Sequence, residues 1–133
     1  MASVTQPRTF LAFDFGTRRV GVASGNALTR TATPLCTVAA EGEARFAAIA
    51  ALLAEWQPQA IVVGVPLHPD GTAHVNSRRA RRFAQALSDR FGLPVHAVDE
   101  RYTTTEATAR GADDRDAAAA AIILEQYLSA DEP

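Results

Sequence analysis

The chain contains 133 residues, of which 47% are hydrophobic and 21% are charged, and its formal net charge is -2. This composition is typical of one globular domain and excludes a disordered chain. The slightly negative charge excludes attraction of nucleic acid by bulk positive charge, so any nucleic-acid contact has to depend on local sites. Cys36 is the single cysteine, which excludes an internal disulfide.

The sequence contains no signal-peptide pattern and no apolar run of about 20 residues. We therefore expect a cytoplasmic protein that has no membrane partner. One domain is expected to cover residues 1–133, with frayed tails at 1–7 and 130–133.

The amino-terminal part of the chain predicts a β-hairpin. Residues 9–15 form an apolar run into which the acid Asp14 is placed near the end. Gly16 and Thr17 predict a tight turn into a second apolar strand over 18–25. A carboxylate at the end of a core strand is costly to desolvate, so its position points to a partner or to a site.

A third strand and a first helix follow the hairpin. Residues 31–40 predict a weaker strand, and Pro34 favours an edge position for it. A helix is predicted over 41–56, because apolar residues recur there at helical spacing. These residues are Phe46, Ile49, Leu53 and Trp56.

The middle of the chain predicts a buried strand and a second helix. The continuous apolar run over 60–66 is typical of a strand that is covered on both faces. Residues 67–74 are rich in turn formers and predict a loop. Either Asn76 or Ser77 could cap the next helix. Its buried side is predicted to carry Ala80, Phe83, Ala84, Leu87 and Phe91.

The last third of the chain predicts a strand over 95–100 and a helix over 114–128, with a turn and a short helical segment over 101–111 between them. The element order is therefore β-β-β-α-β-α-β-α, which predicts a mixed α/β sheet with helices on both faces. In such sheets the functional crevice lies outside the carboxyl ends of the parallel strands.

Three acids stand out by their positions: Asp14 ends the first strand, Glu100 ends the last strand, and Asp116 opens the last helix. Clustered carboxylates repel one another unless cations hold them, and hard divalent cations such as Mg²⁺ take oxygen ligands. Each acid could also have an ordinary structural role. Asp14 could be a turn residue, Glu100 could pair with Arg101 at the surface, and Asp116 could be a helix N-cap.

Four motifs resemble those of the YqgF/RuvX family, whose members are similar in fold to RNase H and to the Holliday junction resolvase RuvC. The motifs are FDFGTRRVGVA, IVVGVPLHPDGT, DERYTTTEA and DAAAAAIILEQYL, in that order. The resemblance implies an RNase H-like mixed sheet of about five strands in the order 3-2-1-4-5. It also implies a metal-dependent nuclease that processes the 5′ end of pre-16S rRNA or resolves branched DNA.

The resemblance further implies that Asp14, Glu100 and Asp116 form an acidic triad that is catalytic and binds Mg²⁺ or Mn²⁺, as two ions. The chain departs from the family pattern just before Asp116: the preceding segment is shorter than usual, and Arg115 stands in place of a lysine. Nucleic acid, either RNA or branched DNA, is the expected partner. Ribosomal precursor particles are a further candidate partner.

Several other residues could contact phosphate. Arginine suits bidentate phosphate contact, and Arg18, Arg19 and Arg101 flank the acids. Gly16, Thr17 and Thr104 could supply backbone or hydroxyl donors, although ordinary turn chemistry accounts for them equally well. A second basic set could dock a nucleic-acid backbone or be a solvated helix face. This set consists of Arg78, Arg81 and Arg82.

Two other functions fit parts of the pattern. An actin-like ATPase or a sugar kinase also carries Asp-x-Gly-Thr in its phosphate loop, but it needs two related lobes, and 133 residues supply one. A non-catalytic nucleic-acid or ribosome-binding module could keep the same fold. The three acids favour the nuclease over this module.

Overall fold

The computed structural model describes residues 8–66, 76–100 and 115–130, and for Glu100 and Ala130 it describes the backbone alone. Within these ranges there are five strands and three helices. The strands are β1 (Thr9–Asp14), β2 (Val20–Asn26), β3 (Thr31–Val38), β4 (Ala60–Pro66) and β5 (Val95–Glu100). The helices are α1 (Gly42–Trp56), α2 (Ser77–Phe91) and α3 (Arg115–Ala130). Across the described ranges, each helix is too short or too polar to cross a bilayer.

The five strands form one mixed sheet in the order β3-β2-β1-β4-β5, which confirms the predicted order. Strand β1 pairs antiparallel with β2 and parallel with β4, and β5 extends the parallel part. The hairpin is confirmed, but β2 begins at Val20 and not at residue 18. The carboxyl ends of β1, β4 and β5 therefore lie at one end of the sheet.

Strand β3 lies at the edge of the sheet, as Pro34 predicted. The pairing with β2 shifts between Val22, which is opposite Cys36, and Ala23, which is opposite Pro34. Leu35 is thus the extra residue of a β-bulge. The bulge and the edge position together accommodate a residue that has no N–H to donate.

Side chains of alternating direction on the strands build a core on each face of the sheet. On one face, Leu11 and Phe13 of β1 pack with Ile49 of α1 and with Phe83 and Leu87 of α2. On the other face, α3 covers the sheet through a separate cluster. That cluster contains Phe10, Ala12, Ala60, Val62, Ile123, Leu124 and Leu128. Helices on both faces are thus confirmed.

Two details of the helices differ from the expectations. Trp56 is 44% exposed, because it is the last residue of α1 and borders a cavity beside Thr9 and Asn26. Asn76 is the N-cap residue of α2, but its side chain makes no capping hydrogen bond. The Ser77 hydroxyl instead donates to the backbone carbonyl of Pro66, which ties the start of α2 to the end of β4.

Candidate active site

Asp14 is the last residue of β1 and is half-buried. Its neighbours across the sheet are Gly21 on β2 and Gly64 on β4. Neither neighbour has a side chain, so the space beside the Asp14 carboxylate is not filled by the adjacent strands. The expected position of this acid, at the carboxyl end of a parallel strand, is confirmed.

The backbone of α3 reaches the sheet at Gly21. A Cβ built on Gly21 would lie 3.0 Å from the Ala117 nitrogen and would overlap the Asp116 carbonyl. The start of α3 therefore lies directly against the strand residue that pairs with Asp14. A glycine is required at position 21 because only a residue without a side chain permits this approach.

Asp116 lies in the first turn of α3, and its side chain is 32% exposed. The Arg19 Nε atom is 3.0 Å from Asp116 Oδ2. The Thr37 hydroxyl of β3 donates to the same oxygen at 3.5 Å, the outer limit for such a bond. Because Thr37 pairs with Gly21, a single row of paired residues runs across β3, β2 and β1 to Asp14.

Glu100 ends β5, where its backbone pairs with Pro66. The same row of pairs continues from Asp14 through Gly64 to Val98, and Glu100 is two residues further along β5. Its backbone is thus at the same end of the sheet as Asp14. The Glu100 side chain, Arg101 and Thr104 lie outside the described residues.

The loop between β1 and β2 forms the outer wall of the site. Gly16, Thr17, Arg18 and Arg19 line an open cavity of about 350 Å³ together with Asp116. The loop is tightly folded, since a Cβ on Gly16 would overlap the Arg19 carbonyl oxygen. Arginine side chains and loop N–H groups beside a carboxylate are suited to a ligand that combines phosphate with a cation.

Arg45 is a residue near the site that the sequence analysis missed. It lies on α1, is only 6% exposed, and donates from its NH2 group to the Thr17 carbonyl at 3.1 Å. Burial lowers the pKa of the Arg45 guanidinium, whereas the charge of Glu41 opposes this shift. A signal was present in the sequence: Arg45 lies four residues before Ile49, on the apolar side of the helix.

The arginines on α2 are separate from the cavity described above. Arg78, Arg81 and Arg82 are all exposed, as a basic helix face requires. Arg81 is 3.9 Å from the Asp99 carboxylate of β5, and both side chains are more than half exposed. The α2 face therefore continues onto the end of β5, next to Glu100.

The donor chemistry of the site suits hard cations. Asp14 and Asp116 carry carboxylate oxygens, the type of ligand atom that Mg²⁺ and Mn²⁺ prefer. Among residues 8–66, 76–99 and 115–129, there is no group of three or more His, Cys, Asp or Glu side chains that could hold a metal ion. The third expected ligand, the Glu100 carboxylate, falls outside that set.

Comparison with known proteins identifies the family that the four sequence motifs resemble. The RuvX family, described as a Holliday junction resolvase, matches residues 8–130. A protein of Polaromonas sp. strain JS666 is 64% identical over 121 residues, which cover 91% of this chain and 88% of that protein. A protein of Albidiferax ferrireducens is 67% identical over 121 residues, covering 91% and 78% respectively. Both are named as candidate pre-16S rRNA nucleases.

Among solved structures, T. thermophilus RuvC in complex with a Holliday junction substrate has a similar fold. Its TM-score is 0.55 at 18% identity, with 92% of this chain and 94% of that chain covered. At this identity the likeness concerns the fold alone. It confirms the expected RNase H-like architecture.

Proposed function

Since the chain belongs to the RuvX family, we propose that it is a metal-dependent nuclease that processes the 5′ end of pre-16S rRNA. It is an enzyme of the phosphodiester-hydrolysing class, as the family description and the names of its relatives indicate. The choice of precursor rRNA follows the relatives that are 64% and 67% identical. The expected location is the cytoplasm, and ribosomal precursor particles are the expected partners.

One observation carries the proposal: Asp14 and the start of α3 meet through Gly21 at the end of the sheet where β4 and β5 also finish. Asp14 pairs with Gly21, the Asp116 backbone lies against that glycine, and Asp116 lines a cavity together with Arg18 and Arg19. Two acids far apart in sequence are thus brought to one end of the sheet, beside arginine side chains. A phosphodiester site needs acids to hold a cation and basic groups to hold the phosphate.

We assign the metal ligands to Asp14, Glu100 and Asp116, which would hold Mg²⁺ or Mn²⁺, as two ions. When bound, such cations stabilise the charge that develops on a phosphate during hydrolysis. Asp116 would exchange its ion pair with Arg19 for the cation. Arg19 is 66% exposed and is therefore able to turn towards a phosphate.

The remaining residues would bind and orient the nucleic acid. Gly16, Thr17 and Arg18 line the cavity, where backbone N–H groups and the Arg18 side chain would donate to phosphate oxygens. Arg101 and Thr104 are assigned to the same role from the sequence. The exposed arginines of α2 would contact the backbone further from the cut, where each phosphate contact adds salt-dependent affinity.

Resolution of branched DNA is a second candidate function, favoured by the description of the RuvX family and by the likeness in fold to RuvC. The same acids and the same cation chemistry would serve both reactions. The two differ in the shape of the substrate, which the arginine faces have to recognise. A non-catalytic binding module is the third candidate.

The test is cleavage of matched substrates by the purified protein. These are an RNA that spans the mature 5′ end of 16S rRNA, an unrelated single-stranded RNA and a four-way DNA junction, each with Mg²⁺, Mn²⁺ or EDTA. We expect cutting of the precursor RNA with either ion and none in EDTA. Cutting of the junction alone would transfer the assignment to branched DNA. Binding without cutting under every condition would overturn the nuclease and favour the binding module.

A further inference from the structure

We propose that Arg45 is a positioning residue that holds the loop over residues 15–19 in place from inside the domain. The described contacts of Arg45 are with Ala40, Thr17 and the Phe15 ring, and the residue belongs to none of the four family-like motifs. Its role in the reaction rests on the proposed function, whereas its role in ordering the loop does not.

The contacts of Arg45 connect three segments of the chain. Its Nε atom donates to the Ala40 carbonyl at 2.8 Å, and its NH2 group donates to the Thr17 carbonyl at 3.1 Å. Its Cζ atom lies 5.6 Å from the centroid of the Phe15 ring. The guanidinium of this α1 residue therefore contacts the loop at Phe15 and Thr17, and the segment between β3 and α1 at Ala40.

This arrangement is more than packing. A buried charge is unfavourable unless hydrogen bonds replace its hydration, and a methionine would fill similar volume without that cost. The planar guanidinium holds its donors in a rigid fork, whereas the three donors of an ammonium group rotate freely. A residue of this kind fixes the position of the two carbonyl groups that it joins.

The loop needs such a tie. Five residues separate β1 from β2, whereas a tight hairpin has two. The two residues that follow Thr17 are Arg18 and Arg19, which line the cavity beside Asp116. The position of the Thr17 carbonyl therefore determines where the backbone of these two arginines starts, and Arg45 holds that carbonyl in place.

The test compares Arg45→Met and Arg45→Lys with Arg90→Met. Arg90 is a suitable control because its described contacts are with α1 and not with the loop: it joins α2 to Glu43 and lies over the Phe46 ring, 4.0 Å from its centroid. The first readout is the backbone order parameter of residues 15–19, measured by ¹⁵N relaxation on metal-free protein. Rigid backbone gives about 0.85 and flexible backbone gives less than about 0.6.

We expect the order parameters of the loop to fall below about 0.6 in Arg45→Met and to fall less in Arg45→Lys, while β1 and α2 stay rigid. In Arg90→Met the loop should be unchanged. Wild-type order parameters in the loop of Arg45→Met would overturn the proposal. If Arg45→Met does not fold, Arg45→Lys decides, and an unchanged loop in that variant would also overturn it.

The second readout is cleavage of the precursor RNA. Displacing catalytic groups by about 1 Å can reduce a rate about 100-fold, so we expect a fall of that order in kcat/KM for Arg45→Met. Arg90→Met should keep the wild-type value. Methylguanidinium added to the Arg45→Ala variant should restore part of the cleavage rate, which a purely structural defect would not allow. If methylguanidinium does not restore the rate, this result would count against a positioning role for Arg45. If the wild-type protein cuts nothing, the proposed function fails, and the order parameters still decide the role of Arg45.

Discussion

The substitution Gly21→Ala tests whether the position of Asp116 matters for the site. The added methyl group would overlap the Asp116 carbonyl and lie 3.0 Å from the Ala117 nitrogen. Both obstacles are backbone atoms of α3, so no side chain can rotate out of the way. The first turn of α3 has to move away from β2 by about 1 Å or more.

Two effects of different size follow from this displacement. Overpacking of this kind destabilises a protein by about 1–3 kcal/mol, so Gly21→Ala should remain folded at room temperature. A catalytic group that is displaced by about 1 Å can lose about 100-fold in rate. We therefore expect a loss of activity in the folded protein that is larger than the change in stability accounts for.

The assay measures urea unfolding and RNA cleavage for Gly21→Ala and for a matched control, Gly25→Ala. Gly25 lies on the same face of β2, and a Cβ there would overlap the Leu124 side chain and lie 2.8 Å from the Thr31 carbonyl oxygen. The control should lose stability but retain the wild-type rate, because it disturbs α3 away from Asp116. Equal cleavage rates for the two folded variants would show that the position of Asp116 does not matter for the reaction.

Three further predictions concern charge. Replacing Arg78, Arg81 and Arg82 together by alanine should weaken RNA binding and flatten its dependence on salt, measured by titration at several salt concentrations; an unchanged slope would mean that this face is only solvated surface. Arg90 lowers the pKa of Glu43, so this ion pair stabilises the fold at pH values above the ordinary pKa of glutamate. The difference in unfolding free energy between wild type and Glu43→Gln should therefore vanish as the pH falls through the folded-state pKa of Glu43. A difference that persists in acid would contradict this prediction. Mn²⁺ at about 100 times its dissociation constant should stabilise the fold by about 2.7 kcal/mol through linkage, and a melting curve that does not move at millimolar Mn²⁺ would count against the metal site.

Much of the fold could be predicted from local patterns. The apolar run that ends at Asp14 and the run over 60–66 are typical of central strands, and Pro34 excluded the centre of the sheet for β3. These signals are local because strand alternation, turn residues and proline act within a few residues. The element order then restricts the possible topologies to a few.

Contacts between distant residues could not be predicted in the same way. The approach of α3 to Gly21 depends on how the helix crosses the sheet, and a glycine in a strand can equally mark a bulge or a tight bend. Arg19 was expected to contact phosphate, and the structure places its Nε atom 3.0 Å from Asp116 Oδ2. This ion pair could not be predicted from the sequence, because it depends on where the fold places Asp116.

Arg45 was missed for a different reason. Arginine is nearly always at the surface, so its residue type predicts exposure even though its spacing places it on the apolar side of α1. The structure shows that two backbone carbonyls compensate its burial. Trp56 is the opposite case: its spacing predicted burial, but it lies at the last residue of α1, where the core ends.

The most direct test of the central claim is the rate of precursor-RNA cleavage by purified Asp14→Asn protein, with folding checked by circular dichroism and thermal unfolding. Asparagine keeps the shape and the hydrogen-bonding capacity of aspartate but removes the charge that would hold the cations. We expect a normal fold and a rate that falls by orders of magnitude in both Mg²⁺ and Mn²⁺. A well-folded Asp14→Asn protein that cleaves at the wild-type rate would contradict this expectation.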